Sequence, residues 1–417
     1  MVSKDKWIIL SVVSIGISLC IPLALGGAEK FIVTPKITVG GQVDSNYFLS
    51  ENNEREVFTY LIQPGIEAGY ETAKSEALLD FNLNAFFYDD QDSVPADEPK
   101  ASDDDYVGFN LKLKAVTEPN DRLLAGLRNL SYLSRNPGRV DALGNFTDRD
   151  KYWQNFFRPR LHYDLTGRLA VDVGYQNRLI HWLDGPNEDA LENRGLAGLI
   201  YSLRRTLQVG LQYELWRTRY DGDTPDYTSN QLGLLLEKQF HHISLLAGGG
   251  YQDRRFDDSD RDDISTPAYI AAVKGQWPAP PAATKRQRLE ARAATRRMWL
   301  TAPAGARSYF ELMFDQNFNN TSIGSEYYVA RRLSLIAGHT FAKKIVTRLS
   351  GYFQNSDYED TNRNDDTYRI YGNIGYRFLR WLTFSVGGGY QDRDSNVDGE
   401  NYDNAFIRAH VDAKWEF

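Results

Sequence analysis

The feature that most constrains this chain is a period-two alternation recurring in segments of about ten residues. It is cleanest at the end, in IRAHVDAKWEF, where Ile407, Ala409, Val411, Ala413, Trp415 and Phe417 share one parity. Arg408, His410, Asp412, Lys414 and Glu416 share the other. Strand side chains point alternately to opposite faces, so this segment has one apolar and one charged or polar face, which a helix would scramble. A half-buried strand of any all-β protein meets that description. The repetition narrows it: comparable segments follow one another along the chain, separated alternately by long polar loops and very short turns.

The strand pattern runs from Pro35–Tyr47, with Ile37, Val39 and Val43 on one face, through Val57–Glu71 to Glu76–Tyr88. Leu79, Phe81, Leu83 and Phe87 oppose Asp80, Asn82, Asn84 and Tyr88 there. A fourth strand sets Val107, Phe109, Leu111 and Leu113 against Asn110, Lys112 and Lys114. RLLAGLRNLSYLS is ambiguous in parity, and the strand expected at Gly195–Leu203 is the weakest. Clean alternation returns with Gln208, Gln212 and Glu214, then Glu237, then Glu311 and Asp315, each set opposite an apolar face. Further strands are expected near Tyr327–Thr340, Ile345–Gln354, Tyr368–Phe378, Leu382–Gln391 and Asn404–Phe417. The tally is about eighteen, an even number that leaves both termini on one side of an antiparallel, up-and-down barrel.

Composition agrees. The mean hydropathy of -0.50 excludes a polytopic helical membrane protein but not a barrel, in which only alternate strand residues face lipid. Aromatic residues form 13% of the chain, with 25 Tyr, enough for girdles at two membrane surfaces; a Tyr-rich sandwich or propeller is the competing account. A net charge of -8 provides no basic footprint for nucleic acid. Lys4 and Lys6 precede the apolar run WIILSVVSIGISLCIPLALGG, with small residues permitting cleavage after Gly26 or Ala28. Residues 1–28 therefore read as a signal peptide, the alternative being an uncleaved anchor. Cys20, the single cysteine, follows Leu19 inside that run, which argues against lipidation and leaves the mature chain without thiol chemistry.

Residues 278–306 break the rhythm. The stretch is rich in Ala, Arg and Pro and, by parity, occupies the place of a short turn. An inserted element with a helix from about Thr284 to Leu300, an irregular insertion and a locally shifted reading frame all fit.

Over nearly all of residues 29–417 the chain resembles the outer-membrane β-barrel porins encoded beside exopolysaccharide synthesis and export systems. The residues carrying the likeness are FIVTPKITVGGQVDSNYF, similar to that family's opening strand, units such as YRIYGNIGYRFLRWLTFSVGGGYQDRDSN, and the final aromatic. The resemblance implies an all-β transmembrane barrel in a Gram-negative outer membrane, with short periplasmic turns, long extracellular loops and lipid and lipopolysaccharide around it. Trp415 and Phe417 would then signal to the barrel-assembly machinery.

Function is expected on the inward parity, where a ring of polar groups sets what passes. The lumen candidates are Asp80, Asn82, Asn84, Lys112, Lys114, Asp172, Gln208, Gln212, Glu214, Glu237, Glu311, Asp315, Arg369, Asn373, Arg377, Arg408, His410 and Asp412. Their mixture of signs and amides favours a channel for a polar neutral solute such as an oligosaccharide or exopolysaccharide. A non-conducting scaffold or adhesin, binding partners through its acidic loops, is the alternative. No catalytic fingerprint appears, so an enzyme ranks third; no cofactor is implied. His162, His181, His339 and His410 lack a neighbouring motif, and His241 and His242 fall in a turn. Asp257, Asp258, Asp260, Asp262 and Asp263, and separately Asp103 to Asp105, offer hard oxygen ligands for Ca²⁺ without EF-hand spacing; a solvated charged loop is the better account of both. GGGYQDR occurs from Gly248 and from Gly387, with GYQNR at Gly174. The expectation is that its Tyr joins the outer girdle while Gln, Asp or Asn, and Arg carry the strand into the headgroup layer.

Overall fold

The alternating segments become strands that close on themselves. A computed structural model describes residues 30–95, 98–140, 149–258, 261–278, 307–318, 327–358 and 361–415. The strands are β1 (Lys30–Asp44), β2 (Val57–Glu71), β3 (Ser75–Asp90), β4 (Tyr106–Asn120), β5 (Leu123–Ser134) and β6 (Tyr152–Asp164). They continue with β7 (Leu169–Trp182), β8 (Ala190–Arg204), β9 (Leu207–Tyr220), β10 (Tyr227–Gln239), β11 (Ile243–Phe256) and β12 (Ile264–Trp277). The last are β13 (Ser308–Phe318), β14 (Tyr328–Phe341), β15 (Ile345–Tyr358), β16 (Asn364–Leu379), β17 (Leu382–Ser395) and β18 (Tyr402–Lys414).

Each strand pairs antiparallel with its sequence neighbours, and β18 closes on β1 from Lys36↔Lys414 to Asp44↔Phe406. The Trp415 amide donates to the Pro35 carbonyl at 3.0 Å, continuing that seam. Sheet edges vanish, as a membrane-spanning sheet requires. Following paired residues once round the ladders returns to β1 displaced by about 22 residues. With ~3.3 Å per residue and ~4.8 Å between strands, that stagger implies a strand tilt of about 40° and a backbone radius of about 18 Å.

The expected apolar parity is the exposed one: Leu79, Leu83, Leu211, Leu234, Ile370, Val386 and Ile407 are large, uncovered and on the convex side. The concave side is identified by side chains that reach over an intervening strand. Lys36 Nζ on β1 meets Asp80 Oδ1 on β3 at 2.6 Å, passing Gly65 of β2, and Lys414 on β18 meets Glu67 on β2 at 3.4 Å. Both termini of the barrel and the short turns share one rim. The turn from β14 to β15 has positive φ at Ala342 and Lys343, the type I′ geometry whose twist matches a hairpin. The β12–β13 hairpin is paired as far as Trp277↔Ser308 on that same rim. The break in rhythm, residues 279–306, lies outside the described residues, as do the leader, Glu416 and Phe417.

At the opposite rim the loops fold against one another. Arg135 pairs with Asp104 at 3.3 Å and Asp184 at 2.7 Å, joining the loops after β3, β5 and β7. Arg149 lies 3.7 Å from the Tyr47 ring centroid and donates to the Tyr47 carbonyl at 2.8 Å, tying in the loop after β1. Beneath them Tyr47, Val57, Tyr88, Ala101 and Tyr106 form a buried cluster. Burial pushes the Asp104 carboxyl above the ordinary carboxylate range, outweighing the lowering pull of Arg135, Tyr47 and Arg149. Burial likewise raises the Tyr47 hydroxyl.

Candidate functional site

All eighteen lumen candidates named from the sequence lie on the concave parity, but they divide by their access to water. Asn82, Asn84, Asp172, Glu214 and Asp315 are buried within the wall, whereas Lys112, Arg369 and Arg377 are exposed. Asp80, Lys114, Gln208, Gln212, Glu237, Glu311, Asn373, Arg408, His410 and Asp412 are half-buried.

One wall, β6 to β9, is a network of neutralised charge. Asp172 accepts from Arg160 at 3.4 Å and sits 2.5 Å from His162 Nδ1. Arg194 lies between Glu192 at 3.2 Å and Glu214 at 3.1 Å, with its guanidinium 4.1 Å from the Trp216 ring centroid. Gln176 donates to Glu192 at 3.0 Å and accepts from Arg158. Arg158, Arg160, Arg194 and Glu192 were missed from the sequence, and His162, set aside there, belongs to the network. RPRLH, from Arg158 to His162, carried the signal: basic groups at alternate positions with no apolar partner on that parity.

The opposite wall, β14 to β18, is cationic and aromatic. Arg332 lies 4.3 Å from the Tyr352 ring centroid, Arg369 5.7 Å from that of Phe406, and Arg408 5.8 Å from that of Tyr371. Arg408 Nη2 donates to the Tyr371 hydroxyl at 3.0 Å across β17. His410 meets Asp412 at 3.3 Å, and Asp412 also accepts from Thr38 at 2.6 Å.

The repeat reads differently from the expectation. Tyr175, Tyr251 and Tyr390 do face outward and exposed, as a girdle requires. Gln and Arg do not enter a headgroup layer, because two steps along a strand restore the same face and one step reverses it. Arg178, Arg254 and Arg393 turn inward and are buried, each near an aromatic ring: Phe156 at 5.3 Å, Tyr227 at 4.2 Å and Tyr402 at 4.6 Å. The repeated word therefore builds an outer Tyr and, three residues further along the strand, an inner cation–π contact.

The acidic loops also split. Asp103 accepts from the Lys100 amide, Asp104 from Tyr47, and Asp105 from the Tyr88 amide at 2.7 Å, so this triplet serves the protein rather than solvent. Asp257, Asp258, Asp262 and Asp263 are exposed, Asp257 pairs with Arg217 at 2.6 Å, and Asp260 lies outside the described residues. Among the described residues no group of three or more His, Cys, Asp or Glu is placed to hold a metal ion. Trp415 is exposed at the closing seam and stacks on Trp381 at 5.8 Å.

Residues 304–415, which span β13 to β18, match the family model described as "Putative beta-barrel porin 2". The chain is a closed eighteen-stranded β-barrel whose last six strands resemble that porin family. Such a barrel implies a Gram-negative outer membrane. No curated protein matches the chain. Among solved structures, Acinetobacter baumannii OccAB4 aligns at 10% identity and TM-score 0.46, covering 94% of this chain and 99% of that one. Pseudomonas aeruginosa OccK1 (OpdK) aligns at 12% and 0.48, covering 94% and 100%. Pseudomonas aeruginosa OccK7 (OpdD) aligns at 14% and 0.48, covering 93% and 100%.

Proposed function

We propose that the barrel is a channel passing a polar solute, an oligosaccharide or exopolysaccharide, across the outer membrane. The observation that supports this most is the closed set of eighteen strands, whose backbone radius of about 18 Å leaves room inside the side-chain layer for an aqueous path. The inner wall adds chemistry suited to a hydroxyl-rich solute: amides, paired charges and aromatic faces on one concave surface. In this reading residues 1–28 are removed on export, and Trp415 and Phe417 address the assembly machinery.

Single-channel recording of the purified protein in a planar bilayer tests the reading, with and without residues 278–306. Stepwise ionic current is the expected result. Silence from both proteins would remove the channel reading and leave the scaffold or adhesin, for which the interlocked loops around Arg135 and Arg149 supply a fixed surface.

A further inference from the structure

Arginines on the two inner walls are treated differently. On β6 to β9 the guanidiniums of Arg160 and Arg194 meet carboxylates inside the wall. On β16 and β18, Arg369 and Arg408 form no ion pair with a carboxylate among the described residues. Arg369 is exposed on the lumen side, and Arg408 reaches only the Tyr371 hydroxyl, at 3.0 Å. Arg369 presents its charge to the lumen, while Arg408, half-buried with its Nε inside the wall, acts on the Asp412 carboxylate only through space, without an ion pair.

Between them lies a flat aromatic surface. Tyr371 on β16 and Phe406 on β18 belong to strands separated by β17, yet their rings stack 5.8 Å apart at 16°. Both register opposite Gly389. A Cβ at Gly389 would come 2.6 Å from the Phe406 ring, and one at Gly387 would come 2.8 Å from the Tyr371 hydroxyl. The glycines of β17 thus give the space in which two rings and a guanidinium lie over bare backbone. Tyr352 registers opposite Arg369 and carries Arg332 on its face, extending the row by two strands.

We propose that Tyr371 and Phe406, flanked by Arg369 and Arg408, form a subsite for a carboxylated pyranose, a hexuronate unit of an acidic oligosaccharide. The ring pair offers an apolar face to the C–H side of the sugar ring, and the guanidiniums donate charge-assisted, forked hydrogen bonds to its carboxylate. A neutral sugar uses the rings alone. This deepens the channel reading, and rests on it, by naming the charge of the solute.

The test compares a tetramer of galacturonate with maltotetraose on the full-length barrel, reading the concentration that half-blocks the ionic current and, separately, heat of binding to detergent-solubilised protein. The acidic tetramer is expected to block at least about tenfold more tightly, since hydrogen bonds to charged groups contribute that much or more. The Arg369→Gln, Arg408→Gln double variant should lose that advantage while its block by maltotetraose stays within about twofold. Phe406→Leu should weaken both sugars. Equal block by the two tetramers, an unaffected double variant, or benzoate blocking as tightly as the tetramer overturns the subsite. Sugar-free conductance shows that each variant has folded. Heat of binding without current sinks the channel reading alone; current without heat or block sinks the subsite alone.

Discussion

Replacing Arg194 by Met strands two carboxylates inside the barrel wall. The guanidinium lies 3.2 Å from Glu192 and 3.1 Å from Glu214, and both acid side chains are 1% exposed, so water cannot replace the lost donors. Removing one partner of a buried ion pair costs about 3–5 kcal/mol. A ceiling for each carboxylate comes from the alternative of protonation: a carboxyl with an ordinary pKa of about 4.3 takes up a proton at pH 7 for about 3.7 kcal/mol. Neutral donors moderate the loss, because Gln176 still reaches Glu192 at 3.0 Å and Gln212 still reaches Glu214 at 3.1 Å. The expected loss is therefore about 3 kcal/mol, at the lower end of that range. Urea unfolding of the detergent-solubilised barrel, followed by tryptophan fluorescence, measures it. The triple variant Glu192→Gln, Arg194→Met, Glu214→Gln should recover most of the loss, since neutralising a whole buried ionic group is close to neutral. A loss below about 1 kcal/mol for Arg194→Met, the scale of a solvent-screened pair, would refute the reasoning. A triple variant as unstable as the single one would show that packing on Trp216, not charge, decides.

Other perturbations separate backbone, loop and seam. Gly250→Ala places a Cβ 2.2 Å from the Leu232 carbonyl, whereas Gly249→Ala meets nothing within 4 Å; the first should cost about 1–3 kcal/mol in the same unfolding assay and the second almost nothing. Because burial raises the Asp104 carboxyl, the folded loops hold more protons than the unfolded chain in the window above the ordinary value of 3.8. Loop stability should thus rise as pH falls through that window and be lost as pH rises through the raised pKa; Asp104→Asn should flatten the dependence of amide exchange at Tyr47 and Ala101. Deleting Phe417 together with Trp415→Ala should lower the amount of folded barrel in cells while leaving refolding of purified chain into detergent within about twofold. Equal losses in both settings would assign these residues to stability rather than to assembly.

How far the sequence speaks depends on which face a residue occupies. Lipid imposes one rule on the outer parity, so β2, β3, β9 and β18 were legible residue by residue. β5 was ambiguous because its inward Leu124 and Tyr132 are also buried, Tyr132 in a cluster with Tyr152, Ile180 and Trp182. With apolar residues on both faces the alternation disappears. The start of β8 was missed for the opposite reason. ALENR, from Ala190 to Arg194, looks like loop because Glu192 and Arg194 are charged, but their charges are met inside the wall.

The inner face obeys no comparable rule, and its chemistry depends on contacts that skip a strand. Parity places Asp172 and Arg369 on the same surface, yet one is sealed by His162 and Arg160 while the other is open to water. Nothing local to either residue distinguishes them. The difference arises across strands: β17 presents Gly387 and Gly389 where another strand would present side chains, and so lets Tyr371 meet Phe406. In the sequence GGGYQDR is a repeated word whose Tyr is readable from position alone. What its glycines do is fixed by the neighbours that closure brings to them: at Gly250 a carbonyl of β10, at Gly389 a carbonyl of β16 and also an aromatic ring of β18. The same tripeptide therefore lies close to neighbouring carbonyls in both copies, and in the second it also clears a platform for two rings.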